Sequence, residues 1–268
     1  MNKVKLYGFI LFLLFVFTFF GAYFYTISPY DLEPSKILHP PSFEHPFGTD
    51  RLGRDIMARI IEGGQTSLII GFLSASITSL IGLLIGINAG YFRGNIDKSI
   101  VIIIDLFLTF PTFFLLLALV SYIDASLLVL IVVLSITGWM GMARMIRSES
   151  FAIGNKPFIK VLKLGGVSNS KIIFKYFTPL LAPLFLVSFT FGVGGAILGE
   201  SALSFLGLGI NPPEISLGSI LSDGKEVMDI APWISFFAGL FIFLVTYGLV
   251  QISDFIQNSL NKKDIQTF

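Results

Sequence analysis

The sequence has no cysteine and only two histidines in 268 residues. Disulfides, thiolate nucleophiles and thiolate metal sites are therefore excluded. His39 and His45 share one proline-rich segment with no third ligand at helical spacing, so no metal site is expected there. A Ser/His/Asp constellation has equally little to draw on, and no enzyme activity is expected. Charge is scarce as well, with Asp, Glu, Lys and Arg making up 13% of the chain. No G-x-x-x-x-G-K-[ST] stretch occurs, so the chain has no P-loop with which to bind ATP itself. The run Phe205-Leu206-Gly207-Leu208-Gly209 lacks the lysine and reads as a turn. No polar stretch is long enough to bury a core of its own, which excludes a separate soluble domain, and no nucleic-acid partner is expected.

What remains is apolar. Hydrophobic residues make up 54% of the sequence, Phe alone contributes 29, and the mean hydropathy is +0.84. A bilayer-crossing helix needs about 20 apolar residues. Six runs qualify: Leu6–Tyr30, Thr66–Phe92, Ser99–Val120, Ala125–Gly141, Tyr176–Gly199 and Ile230–Ser253. The first exceeds the roughly 7–15 residues of a signal-peptide core, and Gly21-Ala22-Tyr23-Phe24-Tyr25 is a poor cleavage site, so it reads as an uncleaved helix. The expected fold is an all-α integral membrane protein of six crossings in the cell membrane. Residues 1–64 hold the first helix and an external loop, 65–257 the main membrane domain, and 258–268 a tail. Lys and Arg concentrate at Lys3 and Lys5, in Arg93–Lys98, in Arg144–Thr178 and at Lys262 and Lys263. The positive-inside rule then places both termini in the cytoplasm.

Gly82, Gly86 and Gly90 recur at i, i+4 and i+8, opening a groove for close helix approach, and Gly195 and Gly199 repeat that spacing in the fifth crossing. Asp105 lies inside the third crossing, where a carboxylate costs about 2.5–3.5 kcal/mol at the centre. At 1.5 Å per residue it sits only about 9 Å along from Ser99. With no second embedded charge nearby, a structural or gating role is expected over ion binding. Pro111 removes a backbone hydrogen bond and is expected to bend the same helix. Glu200 opens the second sizeable external loop, Glu200–Asp229, and joins Asp105 and Pro111 as a gating or pore candidate.

The stretch Arg144–Thr178 carries Arg144, Arg147, Lys156, Lys160, Lys163, Lys171 and Lys175 against Glu149. Within it, Pro157 suits a first helical turn and Gly165-Gly166 a helix end, framing about two turns. Lys156, Lys160 and Lys163 fall on one stripe, and Phe158, Val161 and Leu162 on another. So short a helix must pack on something. It is either a membrane-surface helix with its lysines on head groups or a docking helix for a cytoplasmic partner.

Several segments then resemble one family, the permease subunits of binding-protein-dependent ABC importers of the dipeptide, oligopeptide and nickel group. His45–Asp55 is similar to its H-x-L-G-T-D-x-x-G-R-D stretch, and Asp105–Pro111 to D-x-x-x-A-F-P with Thr109 in place of Ala. Gly194–Gly209 is similar to its most recognisable run, followed by Pro212-Pro213, and Ala231-Pro232-Trp233 opens the last helix in the family manner. The central loop departs most. Gly166 and Pro179 keep the spacing of the family's coupling motif, but its E-A-A is Lys160-Val161-Leu162. The resemblance implies a type I importer permease fold and a docking helix for the ATPase comprising Pro157, Phe158, Lys160, Val161, Leu162, Lys163, Gly165 and Gly166, with Pro179 following. It also implies a second permease subunit, two ABC ATPases and a solute-binding protein as partners, within the lipid bilayer. No cofactor is expected on this chain, ATP and Mg being used by the ATPases. Small peptides are the expected cargo, with nickel or a nickel chelate as the alternative. A stand-alone secondary transporter would instead call for inverted repeats and mid-membrane carboxylates. A like charge facing Lys160 would cost energy, so an acidic or open pocket is expected on the ATPase.

Overall fold

The computed structural model describes residues 3–266. Met1 and Asn2 of the basic start, and the last two residues of the tail, lie outside the described residues. Those described form ten α-helices, and the only extended pairing among them is an isolated antiparallel bridge between Thr49 and Asp55. Five helices are long and apolar enough to cross a membrane, and six crossings result if one sharply bent pair counts as a single span.

Helix α1, Lys3–Phe24, leans on the bundle through few contacts, one of them Gln65 Nε2 donating to the Thr18 carbonyl at 2.7 Å. Helix α2, Ile56–Phe92, is the spine. It begins at Ile56 rather than Thr66 because the Asp55 side chain accepts from the Ala58 N–H at 2.7 Å, an N-cap that satisfies an otherwise orphaned donor. Its 37 residues span about 55 Å, well beyond the roughly 30 Å hydrocarbon layer. The expected polar loop after it shrinks to one hinge residue, Arg93, in the left-handed region at φ +57°.

Helices α3, Gly94–Leu108, and α4, Thr112–Val120, diverge by 76°. The anticipated bend is thus a break. Pro111 has no N–H to offer and sits in an extended conformation with ψ 123°, so the ladder stops at Thr109 and restarts beyond it. Helix α5, Leu127–Gly154, is capped by Ser126 and runs against α2. It extends beyond Gly141, so Arg144 and Arg147 are helical and not part of a loop.

After α5 come α6, Pro157–Leu164, then α7, Asn169–Ile172, and a π-helical turn, Ile173–Phe177. That turn feeds α8, Thr178–Phe205, which has Pro179 in its first turn, where no donor is needed. Helix α8 continues past Gly199, so Glu200 is a helix residue and not the start of a loop. Helix α9, Leu217–Lys225, opens with a reciprocal Ser216/Ser219 capping box, and α10, Trp233–Gln266, closes the bundle.

Apolar packing divides along the long axis. Near the start of α2, Ile56 and Ile60 meet Ile220, Ile234 and Ala238 of α9 and α10. Midway, Ile70, Leu130, Leu134 and Leu203 join α2, α5 and α8. At the far end, Ile87, Ile146, Ile159, Phe177 and Leu181 gather the ends of α2 and α5 with α6 and the start of α8. This last cluster seats the basic segment.

Candidate functional site

Helix α6 is short, and its position is set from beneath. Ile159 is fully buried in the far-end cluster and Leu162 is partly buried against it. The helix ends in a Schellman pattern: Gly166 N–H donates to the Lys163 carbonyl at 3.1 Å and Val167 N–H to that of Leu162 at 3.1 Å. Gly166 takes φ +74°, the left-handed conformation this closure requires, whereas Gly165 stays at φ −75°. Ile159, absent from the expected apolar stripe, is the anchor, while Phe158 and Val161 are exposed at 41% and 66%.

The three lysines do not act as one stripe. Lys163 Nζ lies 4.2 Å from the Tyr91 ring centroid at the end of α2, a cation–π contact. The Tyr91 hydroxyl donates to Asn169 Oδ1 of α7 at 2.7 Å, and its ring meets Phe177 edge-on at 5.2 Å. One side chain of α2 thus touches α6, α7 and the π-helical turn. Lys156 and Lys160 are exposed. What faces outward from α6 is Lys160 with Val161 and Leu164, the last 89% exposed.

The seam between α2 and α5 carries the load from this segment. A Cβ placed on Gly82 would lie 2.9 Å from the Met142 Cβ, on Gly86 2.7 Å from the Ala143 carbonyl oxygen, and on Gly90 2.5 Å from the Ser150 Cβ. Only a bare backbone fits these positions. Gly199 approaches Leu134 of α5, with 3.2 Å from a built Cβ, but Gly195 has nothing within 4 Å.

Asp105 has a charged neighbour after all: Arg144 of α5 pairs with it, both about half exposed. One turn further, Arg147 grips Asp97 with two donors, Nη2 to Oδ2 at 2.7 Å and Nε to Oδ1. The two pairs tie α3 to α5. Glu200 is fully buried and accepts from Ser204 at 2.7 Å and Ser67 at 3.1 Å. Ser67 accepts in turn from the Leu217 N–H at 3.1 Å, so α8, α2 and the start of α9 share one polar node. Beside it, an open cleft of about 510 Å³ is lined by Phe113, Leu198, Phe205, Leu221 and Ile242.

The His45–Asp55 stretch is a second polar hub, on the opposite end of α2. Besides capping α2, Asp55 receives the Tyr25 hydroxyl at 2.8 Å and pairs with His45 Nδ1 at 2.8 Å. Burial, reinforced by that hydrogen bond, pushes the Tyr25 phenol well above its ordinary pKa. Buried Asp50 accepts from the Leu52 and Arg54 N–H groups at 2.8 and 3.0 Å, from Arg54 Nε at 2.7 Å and from Arg59. Arg59 and Arg54 also reach Asp223 of α9, at 3.0 and 3.3 Å. Tyr91, Asn169, Ile159, Arg59 and Asp223 had drawn no notice in the sequence. Their partners are distant in the chain and no local pattern marks them.

The described residues thus form an all-helical bundle of membrane-crossing length with a short basic helix held at one end. The chain belongs to the family described as binding-protein-dependent transport system inner membrane component, which matches residues 82–263. It is therefore a multi-pass membrane protein of a transport family. It is 37% identical over 264 residues to the dipeptide transport system permease protein DppC of Alkalihalophilus pseudofirmus, covering 98% of this chain and 86% of that protein. It is 32% identical over 251 residues to the oligopeptide transport system permease protein OppC of Haemophilus influenzae, covering 93% and 81%. Among solved structures, a chain of the MetNI methionine ABC transporter in an inward-facing conformation superposes with a TM-score of 0.60 at 17% identity, covering 75% of this chain and 97% of that one. That likeness establishes the type I permease fold.

Proposed function

We propose that this chain is one of two permease subunits in an ATP-driven importer of small peptides. Its partners are a second permease, two ABC ATPases and a solute-binding protein, and both termini lie in the cytoplasm. The observation that carries the reading is the similarity to a dipeptide permease along 98% of the chain. Helix α6 is the segment on which an ATPase docks, and the cleft beside Glu200 faces the shared path with the second permease. ATP binding closes the ATPases, and docking passes that rigid-body motion to the bundle, so that the path opens to alternate sides. Lys163, the seating of Ile159 and the Tyr91 contacts support the docking role, because they make α6 a rigid part of the bundle.

The test is ATP hydrolysis by the purified full complex in lipid, titrated with di- and oligopeptides and separately with nickel. Peptide-stimulated hydrolysis, with peptide taken up into vesicles, is expected. Stimulation by nickel alone would replace the cargo, and no stimulation by either would overturn the importer reading.

A further inference from the structure

Helix α1 is attached to the bundle by different neighbours along its length. Toward its end it meets the start of α2: a Cβ built on Gly64 would lie 2.5 Å from Thr18 Cγ2, and one on Gly21 3.1 Å from Ile61 Cδ1. Toward its start it meets α10, with Leu11 Cγ 2.8 Å from a Cβ built on Gly248 and the Tyr7 ring edge-on to Tyr247 at 5.5 Å. Between α1 and α2 a groove of about 660 Å³ opens. Phe12 and Phe15 form one wall, Leu68 and Phe72 the other, and Val193 of α8 and Leu249 of α10 the floor. Phe12, Phe15 and Phe72 are about half exposed, so the groove is open along its side.

Its chemistry decides what fills it. Every lining residue is apolar, so water, at about 30 Å³ a molecule, would find room but no partner. Left empty, the groove would forfeit the dispersion contacts of all its walls. A helix with its side chains is about 10–12 Å across and would have to pry α1 from Gly64 and Gly248 to enter. The second permease proposed above meets the cleft beside Glu200, to which α8 contributes Ala202. That residue lies about two and a half turns on from Val193, on the opposite face of the helix. What suits the groove is a single hydrocarbon chain.

The charge at its mouth says which kind. Lys5, Phe12 and Phe19 recur at i, i+7 and i+14 and share one stripe of α1. Lys5 is exposed and forms no ion pair or hydrogen bond among the described residues. The 22 residues of α1 span about 33 Å against a hydrocarbon layer of roughly 30 Å, which puts Lys5, near the helix start, at head-group level. Leu11 is then about 9 Å deeper and Phe19 about 21 Å, the path of a chain descending from a head group beside Lys5. We infer that the groove seats one acyl chain of a phospholipid whose phosphate is held by Lys5, with an anionic head group preferred. The bound chain completes the packing of α1 on α2, and the lysine supplies the selectivity among lipids.

The experiment counts bound lipid by native mass spectrometry on the full chain, alone and in the complete complex. Both are taken from bilayer discs of equal phosphatidylglycerol and phosphatidylcholine into detergent that strips loosely held lipid. Wild type, Lys5→Met, Lys5→Glu and Leu68→Trp are compared, with Lys98→Glu, an exposed lysine of α3, as the control. One phospholipid per chain, mostly phosphatidylglycerol, is expected in both preparations. Its retention should fall about fivefold in Lys5→Met and further in Lys5→Glu, with a smaller fall for phosphatidylcholine and none in Lys98→Glu. Leu68→Trp fills the groove and should lose both lipids while its helix content, read by circular dichroism, is unchanged. Should that variant fail to fold, the Lys5 variants decide alone, because Lys5 is exposed and packs on nothing. Wild-type retention in Lys5→Glu, or no retained lipid in wild type, would overturn the site. Lipid held by the chain alone but lost in the complex would also overturn it, giving the groove to a partner subunit. Neither cargo nor ATP enters the readout, which is therefore independent of the importer reading.

Discussion

Replacing Gly90 with alanine tests whether the seam between α2 and α5 is as tight as its geometry indicates. The new Cβ would lie 2.5 Å from the Ser150 Cβ and 2.6 Å from the Arg147 carbonyl oxygen. Carbon atoms rest at about 3.5–4.0 Å, so the shortfall is about 1 Å, and part of it is against backbone that cannot rotate away. The helices must therefore part. A gap of about 0.5–1 Å forfeits a quarter to a half of each contact's attraction along the seam, and overpacking of this kind costs about 1–3 kcal/mol. Alanine's better helix propensity returns up to about 1 kcal/mol, leaving a net loss of up to about 2 kcal/mol. Gly86→Ala meets the Ala143 carbonyl oxygen and Ile146 Cβ at 2.7 Å and should behave alike. The double variant should cost less than the sum, because parting the helices once relieves both clashes. Gly195→Ala, inside α8 with nothing within 4 Å, is the control and should raise stability by up to about 1 kcal/mol through helix propensity alone. The assay is thermal unfolding of the chain purified without its partners in lipid discs. A Gly90→Ala melting temperature equal to wild type, or an equal loss in Gly195→Ala, would refute the close-packed seam.

Three further perturbations follow from single contacts. Tyr91→Phe keeps the ring beneath Lys163 but loses the hydrogen bond to Asn169, worth about 0.5–1.5 kcal/mol; amide exchange over residues 157–172 should quicken while the rest of the bundle is unaffected. Arg59→Met strips the buried Asp50 carboxylate and the partly exposed Asp223 of a shared partner and should destabilise the fold by about 3–5 kcal/mol, read as a fall in melting temperature. Asp55→Ala removes the cap of α2 and the acceptor for Tyr25 and His45 at once. The cap alone costs about 0.5–2 kcal/mol, so the loss should exceed that of Ser126→Ala, which removes only the cap of α5, in the same melt.

What the sequence made legible was periodic or compositional. Long apolar runs located the membrane helices, and Pro157 with Gly165-Gly166 framed α6 at the residues where it lies. Helix ends were less legible, because polar residues near a bundle's ends can belong to helices that outrun the bilayer. Arg144 and Arg147 suggested a loop, yet α5 carries them on because Asp105 and Asp97 neutralise them across the gap to α3. Glu200 suggested a loop for the same reason, and the serines of α2 and α8, with Ser216 ahead of α9, make a buried carboxylate tolerable there. Asp105 seemed alone because its partner is 39 residues away in sequence. On α6, spacing grouped the three lysines, but the aromatic ring that withdraws Lys163 comes from another helix.

The arrangement of attachments also determines how far a push on α6 can travel. Ile159, Lys163 and Asn169 bind the docking segment to the ends of α2 and α5, and the glycine seam leaves those two helices no slack. Displacing α6 must therefore carry α2 and α5 as one slab. Helix α3 is joined to that slab through Arg93, two ion pairs, one of them about half exposed, and a small apolar cluster in which buried Ile104 meets Met140 and Ala143 of α5. Exposed pairs resist little, about 0–1 kcal/mol each, so it is chiefly the buried contact of Ile104 with Met140 and Ala143 that holds α3 against α5. The break before Thr112 then frees α4 from α3. At the far end of α2, Arg59 and Arg54 hold Asp223, so the slab takes α9 with it. Displacement of α6 would thus be passed through α2 and α5 toward α9, with α3 and α4 each held to α5 by buried contacts of their own.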